Sequence, residues 1–110
     1  MRWYLRLGRS SEIAHVRRRG RAAGEPTLAA YAVTDRSGNT SVAITVSKAV
    51  GNAVTRNLVR RRIRGALDGC TPPAAGLRLL FIAKPAAASA PFAGIARDVG
   101  AALVHLGESP

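Results

Sequence analysis

The residues with most to offer chemically are cations. In GNAVTRNLVRRRIRGAL, residues 51–67, five arginines fall within nine positions, Arg56 to Arg64. A guanidinium is planar and always charged, and it meets phosphate oxygens with two parallel N–H donors. Repeated at helical spacing, that chemistry holds a polyanion; it does not break bonds. Apolar residues run between the arginines. At about 100° per residue, Val59, Ile63, Ala66 and Leu67 fall within one arc of about 100°, the width of a core face. Arg56, Arg60 and Arg64 follow at i, i+4, i+8 along one flank of it. Asn57, Arg61 and Arg64 point more directly away. Asp68, the residue after Leu67, is the only acid on the expected helix over 52–68. Like charges at i, i+4 are mutually destabilising, so a purely structural surface helix usually intersperses Glu. The pattern predicts a two-sided helix, with a core on one side and a polyanion on the other. A merely solvated charged face is the plainer alternative.

The loop before this helix extends the same chemistry. Ser47-Lys48-Ala49-Val50-Gly51-Asn52 leads into a helix N-terminus, whose free N–H groups suit an anion. Gly51 permits a close approach. No GxxxxGK[ST] loop is present, so nucleotide hydrolysis has no support.

Catalytic and metal-binding patterns are weak by comparison. One cysteine, Cys70, excludes a disulfide framework and a Cys-based zinc site, and it reads as a small filler. His15 and His105 lie far apart, and His15 has no carboxylate or serine partner at motif spacing. Asp35, Asp68 and Asp98 do not form a paired-carboxylate nuclease motif; Asp68 reads as balancing nearby arginines. No catalytic residue is assigned and no metal ligand is identified. Trp3 and Tyr4 either stack on RNA or cover the core edge.

Composition agrees with a polyanion partner. Among 110 residues, 17 cations face 6 acids, a formal charge of +11, and all the cations but Lys48 and Lys84 are arginines. Seven arginines lie in residues 1–21 and six further cations in 48–64. Such a charge repels itself unless a polyanion offsets it, and Arg over Lys favours nucleic acid. No apolar run approaches the ~18 residues of a membrane span, and the start lacks a signal-peptide apolar stretch. The expected location is the cytoplasm, with no membrane and no small-molecule substrate as partner. The length suits a single domain over 1–110.

The elements that must position these residues follow from period and punctuation. SSEIAHVRRR reads as a helix capped by Ser10 or Ser11 and ending at Gly20. Residues 27–35 and 41–47 read as strands, and RSGNT between them as a turn, so 27–47 is expected to form a hairpin. Asn52 is the expected N-cap of the basic helix, which Gly69 and Pro72-Pro73 stop. LRLLFIAK (77–84) reads as a buried strand, completing a βαβ unit with 41–47 and 52–68. Residues 89–106 read as a last helix with Pro91 in its first turn. Its expected apolar face is Phe92, Ile95, Ala96, Val99, Ala102, Leu103 and Leu106.

With these motifs in order, VSKAVGNAVTRNLVRRRIRGAL followed by LLFIAKPAAAS resembles the protein subunit of bacterial ribonuclease P. The resemblance covers most of the chain from RLGRSSEI onward. It implies an α/β (α+β) two-layer sandwich. The central four-stranded mixed sheet would carry a left-handed βαβ crossover, in the manner of ribosomal protein S5 domain 2. It also implies a function: a subunit of an endoribonuclease holoenzyme that removes the 5′ leader from precursor tRNA, with the protein itself not catalytic. The implied partners are the catalytic RNA and precursor tRNA. The implied cofactor is Mg2+ acting mainly through the RNA. Carried over residue by residue, Lys48, Asn52, Arg56, Asn57, Arg60, Arg61 and Arg64 match the RNA-subunit-binding motif. Tyr31 matches a leader-cleft aromatic; as an ordinary half-buried strand aromatic it needs no ligand. Ile13 and Arg17 stand where the family carries leader-facing aromatics, and they offer an apolar surface and a planar cation instead. Leu58 replaces a family Arg, a loss that Arg62 could offset only in part, and Ala49 replaces a Lys. A general structured-RNA or ribosome-binding module remains the alternative.

Overall fold

The computed structural model describes residues 2–107. Its elements are β1 (Leu5–Arg6), α1 (Ser10–Arg19), β2 (Arg21–Gly24), β3 (Leu28–Thr34) and β4 (Ser41–Thr45). They continue with α2 (Ala53–Asp68), β5 (Leu77–Ala83), a 3-10 turn (Pro85–Ala88) and α3 (Phe92–Gly107). The sheet is mixed and has five strands in the order β1-β4-β5-β3-β2, not four. The additions are short: β1 has two residues, and β2 is RAAG, whose Ala-Gly content carries no strand signal. Pairing with the edge of β3 makes β2 a strand, from Arg21 opposite Ala32 to Gly24 opposite Ala29.

The expected hairpin over 27–47 does not form. β5 lies between β3 and β4, antiparallel to the first and parallel to the second. LRLLFIA is mostly buried along its length, so it takes the centre and needs a partner on each edge. The turn chemistry at 35–40 is real but bridges one strand further. Asp35 N donates to Gly76 O at 3.0 Å, and Leu77 N donates to Thr40 Oγ1 at 3.2 Å. Gly76 makes the crossing possible, because a Cβ there would meet the backbone of Gly38 at 2.6 Å.

β4, α2 and β5 form the expected βαβ unit. α2 and α3 cover one sheet face. Val59, Ile63 and Leu67 of α2 and Ile95, Val99 and Leu106 of α3 pack with Leu28, Leu79 and Phe81. Phe81 is fully buried, a contribution of about 1.5–3 kcal/mol from removing its ring from water. Asp98, 1% exposed, pins the start of β3 to α3 by accepting from Thr27 N (3.0 Å) and Thr27 Oγ1 (2.6 Å). Phe92 is half exposed rather than core; its ring lies over Gly65 of α2, 3.5 Å from where a Cβ would stand. α3 begins at Phe92, three residues later than expected, after a separate 3-10 turn at PAAA.

The opposite sheet face carries α1 alone. Val16 is buried with Leu7, Ala43 and Leu80, while Ile13, Tyr31, Val33 and Ile82 are only partly covered. The face is therefore a half-filled trough. Arg9, not a serine, is the N-cap of α1 and makes no side-chain cap, whereas Asn52 caps α2 by accepting from Thr55 N at 2.9 Å. Among the described residues no helix is long and apolar enough to cross a membrane.

Candidate nucleic-acid interface

α2 separates its residues as its period demands. Val59, Ile63, Ala66 and Leu67 are buried, and Asn57, Arg61 and Arg64 are exposed. Arg56, nearest the core, is half-buried, and its Nε is buried without a hydrogen-bond partner among the described residues. Arg60 Nη1 donates to Asn57 Oδ1 at 3.1 Å, which orients both side chains one turn apart. Val54, Asn57, Arg60, Arg61 and Arg64 line a shallow hollow of about 510 Å³ with no acid among its described lining residues. Lys48 is exposed in the turn that Val50 N closes onto Ser47 O. Asn52 spends its side-chain oxygen on the cap, leaving its amide donors for an outside partner. At Gly51 a Cβ would lie 3.0 Å from the Thr55 side chain, so glycine lets this loop close onto the helix.

Other cations are committed to the fold. Arg62 Nη1 donates to Ala90 O at 2.9 Å, on the flank facing α3. That bond ties the Arg62 guanidinium to the fold. Leu58 lies about 160° around the helix from Arg60, at 100° per residue, and is half-buried. Arg21 Nη2 caps the carbonyl of Leu106 at 2.7 Å near the end of α3, and Lys84 Nζ holds Glu25 O at 2.7 Å. Arg78 reaches Glu12 at 3.2 Å and Asp35 at 3.6 Å, joining α1 and the 35–40 turn to the sheet. The Ser37 hydroxyl and amide, with Arg78, hold the Asp35 carboxyl below its ordinary range.

In the trough, the Arg17 guanidinium carbon stands 5.0 Å from the centroid of the Tyr31 ring. Ile13 and Tyr31 belong to the same apolar cluster with Val16 and Leu80. The structure thus brings Ile13, Arg17 and Tyr31 together. It places a cation on the aromatic ring, a cation–π contact of about 0.5–1 kcal/mol when exposed.

The N-terminal segment is the part sequence reasoning left open. Trp3 Nε1 donates to Leu67 O at 2.9 Å, and Trp3 and Tyr4 pack on the core. Arg2 Nε donates to Asp68 Oδ1 at 3.0 Å, and the Tyr4 hydroxyl donates to the same oxygen at 3.3 Å. Burial and the neighbouring Asp68 push the Tyr4 phenol up, and Asp68 raises Arg2 further. Asp68 balances Arg2, then, rather than the arginines of its own helix. Cys70 is half-buried with its thiol pushed up by burial. Among the described residues no group of three or more His, Cys, Asp or Glu is placed to hold a metal ion.

The ribonuclease P family model matches residues 1–107. The chain belongs to the ribonuclease P protein family. It is 40% identical over 104 residues to the ribonuclease P protein component of Beutenbergia cavernae, covering 93% of this chain and 87% of that one. It is 38% identical over 111 residues to that of Streptomyces bikiniensis, covering 92% and 90%. In fold it is similar to a solved Staphylococcus aureus RNase P protein, a mutant with defective mRNA degradation activity. The TM-score is 0.80 at 21% identity, over 91% of this chain and 86% of that one. The Thermotoga maritima protein gives 0.77 at 16% identity over 96% and 100%. The family's enzyme is an endoribonuclease in which such a chain is a subunit.

Proposed function

We propose that this chain binds the catalytic RNA subunit of ribonuclease P and the 5′ leader of precursor tRNA, and so assists removal of the leader in the cytoplasm. The observation that carries the reading is the acid-free basic face of α2, held rigid by a buried opposite face. Lys48, Asn52, Arg56, Asn57, Arg60, Arg61 and Arg64 are assigned to the RNA subunit. The positive N-terminus of α2 adds free N–H groups beside Lys48. Ile13, Arg17 and Tyr31 are assigned to the leader, with an unpaired base stacking at the Tyr31–Arg17 pair.

Among the described residues no set of donors fits a resident Mg2+. The ion is assigned to the RNA, and no step here passes through it. What the protein supplies is position and charge: exposed guanidinium groups offset phosphate repulsion where two RNAs meet. The relatives, ribonuclease P protein components over most of their length, favour this reading over a general RNA-binding module.

The decisive experiment is reconstitution. Purified protein added to a bacterial ribonuclease P RNA should restore leader cleavage at Mg2+ concentrations where the RNA alone is slow. No stimulation anywhere in a Mg2+ titration overturns the proposal. Equal affinity for unrelated structured RNAs favours the general module instead.

A further inference from the structure

Between α2 and α1 the edge of β4 is open. β1 pairs with β4 only as far as Arg6 opposite Val42, and Leu7 N makes the last bond, to Val42 O at 2.9 Å. β4 continues to Thr45. By strand alternation Ile44 directs its backbone N–H and C=O to the edge where Val42 meets Leu7, and among the described residues no strand covers them there. A cleft of about 610 Å³ lies along this edge. Its walls include Tyr4, Arg6, Arg60 and Arg64, with Ile13 of α1 at the far side, and among the described residues no acid lines it. The volume is in the range of sites for small ligands, about 300–1,000 Å³. Tyr4 is set in place: its hydroxyl is bonded to Asp68, the Trp3 ring meets its own at 5.0 Å in a T-shape, and Arg2 lies over it at 5.9 Å. The Arg6 side chain leans back over Gly8, toward the chain, with Nε 4.0 Å from where a Gly8 Cβ would stand.

From this arrangement we infer that the cleft is a subsite for one unpaired nucleotide of RNA. Its phosphate meets Arg6, Arg60 and Arg64, and its base lies against Tyr4, with the free backbone of Ile44 open to the base edge. A free strand edge elsewhere attracts another protein strand, but flanking cations oppose that pairing. A phosphate-bearing ligand is offset by those same charges, and a nucleobase edge offers both the donor and the acceptor that Ile44 lacks. The subsite also joins the two faces assigned above, since Arg60 and Arg64 belong to the α2 face and Ile13 to the leader side. The inference rests on the RNA-binding reading.

The test uses the full chain and two probes, an eight-residue oligouridylate and a bacterial ribonuclease P RNA. Trp3 is the only tryptophan and abuts Tyr4, so its emission reports on the subsite. Oligouridylate should change that emission saturably. Tyr4→Ala should lower oligouridylate affinity by about five- to 150-fold, and Tyr4→Phe, which keeps the ring and loses the Asp68 bond, should restore it. Arg6→Ala, on an exposed side chain, should flatten the salt dependence by about 0.7. If wild-type protein binds neither RNA, the RNA-binding reading itself fails. If ribonuclease P RNA binding is weakened by Arg61→Ala, which lies outside this cleft, while Arg6→Ala changes no slope and Tyr4→Ala behaves as Tyr4→Phe, only the subsite is overturned. A saturable response to poly-glutamate with none to oligouridylate assigns the edge to an acidic protein segment and also overturns it.

Discussion

Replacing Arg60, Arg61 and Arg64 together by alanine separates the binding face from the fold. Arg61 and Arg64 are exposed, and Arg60 is tied to Asn57 by a single 3.1 Å bond. None belongs to the buried set of α2. The substitution should therefore leave stability within about 0.5 kcal/mol, the usual range for surface positions. Relief of the Arg60–Arg64 repulsion at i, i+4 works in the stabilising direction. Binding should respond strongly. If each guanidinium meets one phosphate, three lost contacts flatten the slope of log K against log salt by about 2.1–2.7. Extrapolated to 0.15 M salt, the same counterions amount to a loss of about 50- to 150-fold in affinity. Filter binding of a ribonuclease P RNA between 50 and 400 mM salt, with a thermal melt of each protein, reads both quantities. An unchanged slope with an intact melt would refute the reasoning, because it would place these cations away from phosphate. A collapsed melt would refute the claim that the face is independent of the core.

Three further outcomes follow from particular contacts. Asp98→Ala leaves the amide and hydroxyl of Thr27 without their buried acceptor, a loss of about 3 kcal/mol. That should lower Tm by at least about 10 °C in a domain of this size, and circular dichroism would detect it; a smaller shift means water takes the place of the carboxylate. Asp35 has its carboxyl held below the ordinary value of 3.8. Its folded state binds the proton less tightly, so its stabilising contribution is present above that value and fades as pH falls through the lower folded pKa. Ser37→Ala should move the Asp35 titration upward in an NMR pH series, and no movement would show that Ser37 is not the cause. Gly76→Ala drives a Cβ into the backbone of Gly38 and Asn39 at 2.6–2.9 Å. It should cost about 1–3 kcal/mol by chemical denaturation, against a gain of about 0.4–1 kcal/mol for Gly100→Ala inside α3, where the space is open.

The helices were the most legible part of the fold. α2 keeps its expected Asn52 cap, its buried stripe and its end at Gly69, because each is decided within a few residues of chain. The sheet was less legible. Residues 28–34 and 41–45 are strands, but their pairing depends on which strand is apolar enough to take the centre, and β5 displaced the expected hairpin. β2 and β1 had no local signal at all, since their hydrogen-bond partners, not their side chains, make them strands.

By itself the sequence determined the charge, its gathering into two blocks, the two-sidedness of α2 and the likeness to the ribonuclease P protein family, because these depend on residue type and near spacing. Only the tertiary structure decided which arginines are free. Arg21, Arg62 and Arg78 look like their neighbours in the chain, yet a carbonyl or carboxylate distant in sequence occupies each. Only it brought Tyr4 to Asp68 across 64 residues and left the edge of β4 open beside Arg60 and Arg64. The physical reason is that a guanidinium's charge belongs to the residue, whereas its availability depends on the groups that folding brings within hydrogen-bond reach.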